Sequence, residues 1–434
     1  MKNYKKIYAA FILAGGLILH GCNGIFDDLA INPNQPSMGA YFTSPSAVND
    51  AVMTMYGYMS TQRCLGASGS KTTIIRSDEA SSNSDYGKPG MFGADLNASY
   101  YTIEQPYTLM YTTASQASYI IETAPSVDFS GNEELRNAYM GEAYFWRAFA
   151  HYYLLINFRN ISPIRQMPRN GDDYVRPLEK PAAVWNFIQE DLVHAKELLP
   201  VKGYWDSKNA GRVTKASAAA LLGKAYLYRS GIEQYYGEDK TTFYSEAAKE
   251  FGDVIDGKYG TYDLTKNYAD NFDVAHENNE ESILEFQFLG DVDNAGFNPG
   301  LATSGLAFDS RGLMLPGAGV GYEGVVHNWL YNAFVNSVDK DGYTDIRMFS
   351  TMIFNDLDAS IHLRNDAGGN PVRLEGPGGY KWEELYPAKN GKEGFATVSN
   401  PLAHSFKAGI RKGIDCSMPT QTEADGTPKL VGVG

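Results

Sequence analysis

The chain is 434 residues long, 43% hydrophobic, with 37 Lys and Arg against 51 Asp and Glu and a formal net charge of −14. That length and apolar content build a sizeable core and exclude intrinsic disorder, and the acidic balance argues against a nucleic acid as partner. Aromatic residues make up 13% of the chain, led by 30 Tyr, while Cys22, Cys64 and Cys416 are too few and too scattered for a disulfide framework or a paired-cysteine metal site.

Lys2, Lys5 and Lys6 precede an apolar run over 7–19 that is shorter than the roughly 20 residues a membrane-spanning helix needs. Residues 1–21 therefore read as a signal peptide. Leu19-His20-Gly21-Cys22 resembles a bacterial lipobox, with cleavage before Cys22 and acylation of its thiol by chains such as palmitate. More than one chain gives stable anchoring where one is marginal. Residues 22–45 read as an extended tether, because Pro33 and Pro36 bias their predecessors away from helix. Asp27 and Asp28 resemble the acidic signal that sends some lipoproteins to the outer face of the cell.

Val48, Val52, Met55 and Met59 fall near helical spacing, and Ser44 or Ser46 is available as a cap, so a helix is predicted over 46–59. Further helices are predicted over 103–124, 133–158, 182–199, 214–230 and 243–255. Residues 71–97 are rich in Ser, Gly and Asp, and 291–324 in Gly and Pro; both read as loops carrying aromatics. The alternation over 282–288 predicts a strand, 326–335 a helix, and 356–401 a loop-dominated stretch.

Met140-Gly141-Glu142-Ala143-Tyr144 recurs as Leu222-Gly223-Lys224-Ala225-Tyr226, with Arg147 and Arg229 nearby. The form apolar-Gly-x-x-Tyr is the first-helix signature of tetratricopeptide repeats, in which glycine lets the partner helix approach. Ala247 and Phe251 supply the second-helix signature for the later unit, and Ala195 and Leu199 approximate it for the earlier one. Tyr144, Phe145, Trp146, Tyr152 and Tyr153 read as repeat core. The expected architecture is mainly α: degenerate helical repeats over 46–260, packed against an irregular loop-rich part over 261–434 with a few short strands, forming one domain from 22 to 434.

The seven histidines form no HExxH or H-x3-H pair, so no zinc site is indicated, and no G-x-S-x-G nucleophile elbow occurs. Gly319 to Gly324 matches GxGxxG but lacks a preceding hydrophobic strand and a surrounding βαβ unit. The run from Asp339 to Asp345 resembles a calcium loop, but its glycine comes too early and no bidentate Glu follows. Its carboxylates are hard oxygen ligands and leave a structural calcium ion open; otherwise no cofactor or metal is expected.

Taken together, Cys22 with Asp27-Asp28-Leu29, the run from Gly141 to Phe149 continued by Tyr152 to Leu155, the Ala-rich run from Thr214 to Tyr228, Glu281-Ser282-Ile283-Leu284-Glu285 and Asp345-Ile346-Arg347 resemble the SusD/RagB family of nutrient-binding outer-membrane lipoproteins of Bacteroidetes. The resemblance covers about 22–412. It recasts the Asp339 segment as a structural turn in which Asp345 and Arg347 can pair. The family usually continues about a hundred residues further, so the resemblance implies a truncated or divergent C-terminus. The resemblance implies a non-catalytic surface protein, anchored at Cys22 and facing the cell exterior, that captures an oligosaccharide and delivers it to a SusC-like TonB-dependent transporter. A surface glycoside hydrolase and a non-binding repeat scaffold are the alternatives. Sugars stack their C–H faces on aromatic rings, so the candidate ligand contacts are Tyr86, Phe92, Tyr100 and Tyr101 in or after the first loop and Phe297, Phe308 and Tyr322 in the second, with Asp78, Asn83 and Arg311 as polar neighbours. Neither the glycan nor the alternative of a peptide cargo is specified by these residues.

Overall fold

The structure, a computed structural model of the full chain, describes residues 42–61, 63–65, 80–81, 98–167, 175–237, 239–272, 276–287, 325–326, 328–348, 352–353, 361–365, 367–369, 409–410, 420–422 and 428–430. The described part is mainly helical, in chain order α1 (Pro45–Ser60), α2 (Tyr101–Thr123), α3 (Glu133–Phe158), α4 (Pro181–Leu198), α5 (Lys215–Tyr236), α6 (Tyr244–Ile255) and α7 (Asn328–Asn336). Local chemistry sets the ends. Ser44 Oγ accepts the Ala47 amide at 3.3 Å ahead of Pro45 at the first position of α1. Asn132 accepts the Leu135 amide at 3.1 Å, and Glu133 and Glu134 sit at the positive end of the α3 dipole. Thr214 and Ser217 form a capping box for α5, and Gly237, with φ 70°, ends it in the left-handed conformation. That helix thus runs past Ser230, the predicted end, to Tyr236.

Packing follows chain order: α2 lies against α3, α3 against α4, α4 against α5 and α5 against α6, with α1 across α2 and α3. The two repeated glycines do what the pattern requires. A Cβ on Gly141 would stand 2.9 Å from both the Cγ and the backbone nitrogen of Leu199, and one on Gly223 would stand 2.8 Å from the Phe251 ring. Each glycine therefore admits the signature residue of its partner helix. Phe145, Trp146, Tyr152 and Tyr153 are buried in the core between them, with Trp185 from α4, whereas Tyr144 is only half-buried. Lys196 of α4 also reaches Glu250 of α6 at 2.6 Å, tying the two second helices together.

The predicted strand over 282–288 does not form in its described part, 282–287. The alternation is real, since Leu284 and Phe286 pack against the helical core and Phe286 stacks 5.9 Å from Trp146. The surface they meet is made of helices, however, so no ladder is available; the Ile283 carbonyl instead accepts from Ser217 Oγ at 3.0 Å. Strands elsewhere are two or three residues long: β1 (Ala80–Ser81), β2 (Val325–Val326), β3 (Met352–Ile353) and β4 (Gly409–Ile410) form an antiparallel sheet in the order β1-β2-β4-β3, and β5 (Thr420–Thr422) pairs with β6 (Pro428–Leu430). β1 interrupts the stretch read as the first loop. Its antiparallel pairing of Ser81 with Val325 joins the chain just after Asp78 to the chain just after Tyr322.

Candidate functional site

The helical scaffold is fixed by charges buried between its elements. Glu142 of α3, fully buried, accepts from Arg212 Nε at 2.9 Å and from the Tyr56 hydroxyl at 2.7 Å, while the same hydroxyl accepts the Val213 amide at 2.8 Å. Burial pushes the Glu142 carboxyl above its usual range, against the pull of Arg212 and Tyr56. One turn along α3, Arg147 makes a two-pronged pair with Asp191 of α4, both bonds at 2.7 Å, and donates to the Arg165 carbonyl at 2.8 Å. At the end of α3, Arg159 donates to both oxygens of Glu233 in α5, at 2.7 and 3.1 Å, and Trp185 Nε1 donates to Glu233 at 2.8 Å. The second repeat arginine, Arg229, bonds to Asn186 and Gln189 of α4 and to Asp239. Between these clusters His151 is fully buried, with Nδ1 2.8 Å from the Arg147 carbonyl and Nε2 accepting the Ile164 amide at 2.9 Å. Burial lowers its pKa to about 3, and the cations Arg147, Arg165 and Arg176 push the same way.

These groups bond mainly to one another inside the protein, with Arg229 Nε and Gln189 Nε2 left buried without a hydrogen-bond partner. The surface of α5 is different. Leu227, Tyr228, Gly231, Ile232, Tyr235 and Tyr236, with Tyr244 at the start of α6, line an open groove of about 530 Å³. Tyr235 is 84% exposed, and Tyr236, Tyr244 and Tyr228 are exposed as well. The Arg159 guanidinium lies 4.2 Å from the Tyr236 ring centroid, and Lys224 Nζ lies 5.5 Å from that of Tyr228. Sequence reading missed this groove because it ended α5 at Ser230. Extending the helical period to the Gly237 stop would have put Lys224, Tyr228, Gly231 and Tyr235 in one row.

Of the sequence-predicted contacts, Tyr100 is half-buried at the cap position of α2 and Tyr101 is the first residue of that helix, so neither belongs to a loop. Cys22, Asp78, Asn83, Tyr86, Phe92, Phe297, Phe308, Arg311 and Tyr322 lie outside the described residues. In the Asp339 segment, Asp339 Oδ1 accepts the Asp341 and Tyr343 amides at 2.9 and 3.0 Å, and the Arg364 guanidinium bridges Asp339 and Asp341. Arg364 holds the Asp339 carboxyl below its usual range. Asp345 pairs with Arg347, as the turn reading requires. Among the described residues no group of three or more His, Cys, Asp or Glu is arranged to hold a metal, and no helix is long and apolar enough to cross a membrane.

A SusD-like family model described as starch-binding and associating with the outer membrane matches residues 30–227. A SusD-like protein of Bacteroides ovatus is 26% identical over 293 residues, covering 67% of this chain and 51% of that protein. The chain spans about half the length of the curated relatives it matches. Among solved structures, a SusD-like protein of Bacteroides fragilis has a TM-score of 0.62 at 16% identity, covering 92% of this chain and 73% of the other. A laminarin-binding SusD-like protein has a TM-score of 0.58 at 19% identity, covering 85% and 77%.

Proposed function

We propose that the chain is a member of the SusD-like family and, with it, a non-catalytic, cofactor-free binding protein of the outer membrane that captures an oligosaccharide and passes it to a SusC-like TonB-dependent transporter. The observation that carries this reading is the family match over 30–227, which includes both repeat glycines, Gly141 and Gly223. A structural neighbour that binds laminarin adds support for a glycan as cargo. In this reading the protein is held by acyl chains on Cys22 and faces the cell exterior, and Asp78, Asn83, Tyr86, Phe92, Tyr100, Tyr101, Phe297, Phe308, Arg311 and Tyr322 contribute to capture.

Calorimetry and affinity electrophoresis against a panel of polysaccharides test the reading: saturable binding is expected, and no binding to any member overturns it. Release of reducing ends that disappears in Asp78→Ala would replace a binding protein by a glycosidase. Copurification with a β-barrel transporter tests the partner. Cys22→Ala is expected to move the protein from the membrane to the soluble fraction, and retention in the membrane fraction refutes the anchor.

A further inference from the structure

We propose that the tyrosine groove of α5 and α6 is itself an oligosaccharide-binding site, distinct from the aromatic loops, in which pyranose faces stack on Tyr228, Tyr235 and Tyr244 and Lys224 donates to an oxygen at the ring edge. The proposal rests on the glycan-binding reading and adds a place to it. Four observations carry it. The volume of about 530 Å³ falls within the range of small-ligand sites, roughly 300 to 1,000 Å³. Its aromatic wall is tyrosine throughout, which offers a flat apolar face to C–H groups and a hydroxyl to their oxygens, as a sugar requires and an aliphatic wall does not.

The third observation is Gly231. Glycine inside a helix is unfavourable relative to alanine, and Gly141 and Gly223 are each explained by a neighbour that a Cβ would strike. A Cβ on Gly231 would meet nothing within 4 Å. No described contact calls for a glycine there, and its effect is to leave a notch between Tyr228 and Tyr235 in which a ring can approach the helix backbone. The fourth is Arg159. It has φ 61°, a conformation that side chains other than glycine rarely take, yet Glu233 holds it so that its guanidinium backs the Tyr236 ring at 4.2 Å. Lys224, exposed and with no ion pair among the described residues, stands at the head of the row beside the Tyr228 ring.

The test uses the full chain on an array of neutral and acidic oligosaccharides, with calorimetry on each ligand found. Gly231→Leu fills the notch with a better helix former, so the melting temperature should hold or rise while affinity for at least one ligand falls tenfold or more. The double variant Tyr235→Ala with Tyr244→Ala, both exposed, should do the same without unfolding the protein. A smaller loss in both variants for every ligand overturns the groove assignment and leaves the glycan-binding reading standing. If the wild-type protein binds no saccharide on the array, both fall.

Discussion

His151 makes the stability of the repeat array sensitive to mild acid. Its Nε2 is the acceptor for the Ile164 amide, so a second proton would set one N–H against another inside a fully buried site already crowded by three arginines. The folded protein therefore keeps the ring neutral down to about pH 3, whereas the unfolded chain protonates it near the ordinary histidine value of about 6.5. Below that value the unfolded state binds the extra proton, so stability is full above pH 6.5 and falls with pH until about 3. Integrating the two titrations gives a loss of about 2 kcal/mol between pH 7 and pH 5. Urea denaturation of the wild type and His151→Gln at both pH values isolates the contribution, because other groups largely cancel in the difference. The variant is expected to be less stable at pH 7 but to lose about 2 kcal/mol less on going to pH 5. Equal losses in the two proteins would refute the argument.

Three further outcomes follow from the geometry. Gly141→Ala drives a methyl group into Leu199, including its backbone nitrogen, and should cost about 1–3 kcal/mol, whereas Gly57→Ala in α1, with open space around it, should gain up to about 1 kcal/mol; thermal melts that rank them the other way contradict the packing. Asp191→Asn leaves Arg147 buried with a neutral partner and should cost about 3–5 kcal/mol, while Arg147→Met with Asp191→Leu should recover much of it in the same denaturation assay. Because Arg364 supplies the counter-charge to Asp339 and Asp341, removal of divalent ions with EDTA should leave the melting temperature unchanged, and a drop would point to calcium.

The repeats were legible because their information is local. Helical spacing, the Ser44 cap and the two glycines each act over a few residues, and they located the helices and the close contacts with Leu199 and Phe251. The failed strand at 282–287 shows the limit of pattern alone: alternation reports that one face is buried, and here that face meets helices. The charge pairs were invisible for another reason. Glu142 and Arg212, or Arg159 and Glu233, are partners only once the chain between them has folded back, and nothing near either residue names the other. The groove was missed through a boundary: a helix ended at Ser230 leaves out Tyr235 and Tyr236, which the Gly237 stop brings onto it.

The way α3 is wired also bears on how the protein breaks. Within one helix and its cap, Glu142 reaches back to α1 through Tyr56 and forward to Arg212, Arg147 holds α4, and Arg159 holds α5. A solenoid whose units touch only through apolar faces can be shortened one unit at a time. Cutting this one anywhere between α3 and α5 strands at least one buried charge, so the units are not interchangeable modules. Limited proteolysis should therefore trim the chain from its periphery and yield no folded fragment that ends inside the stretch from 142 to 233.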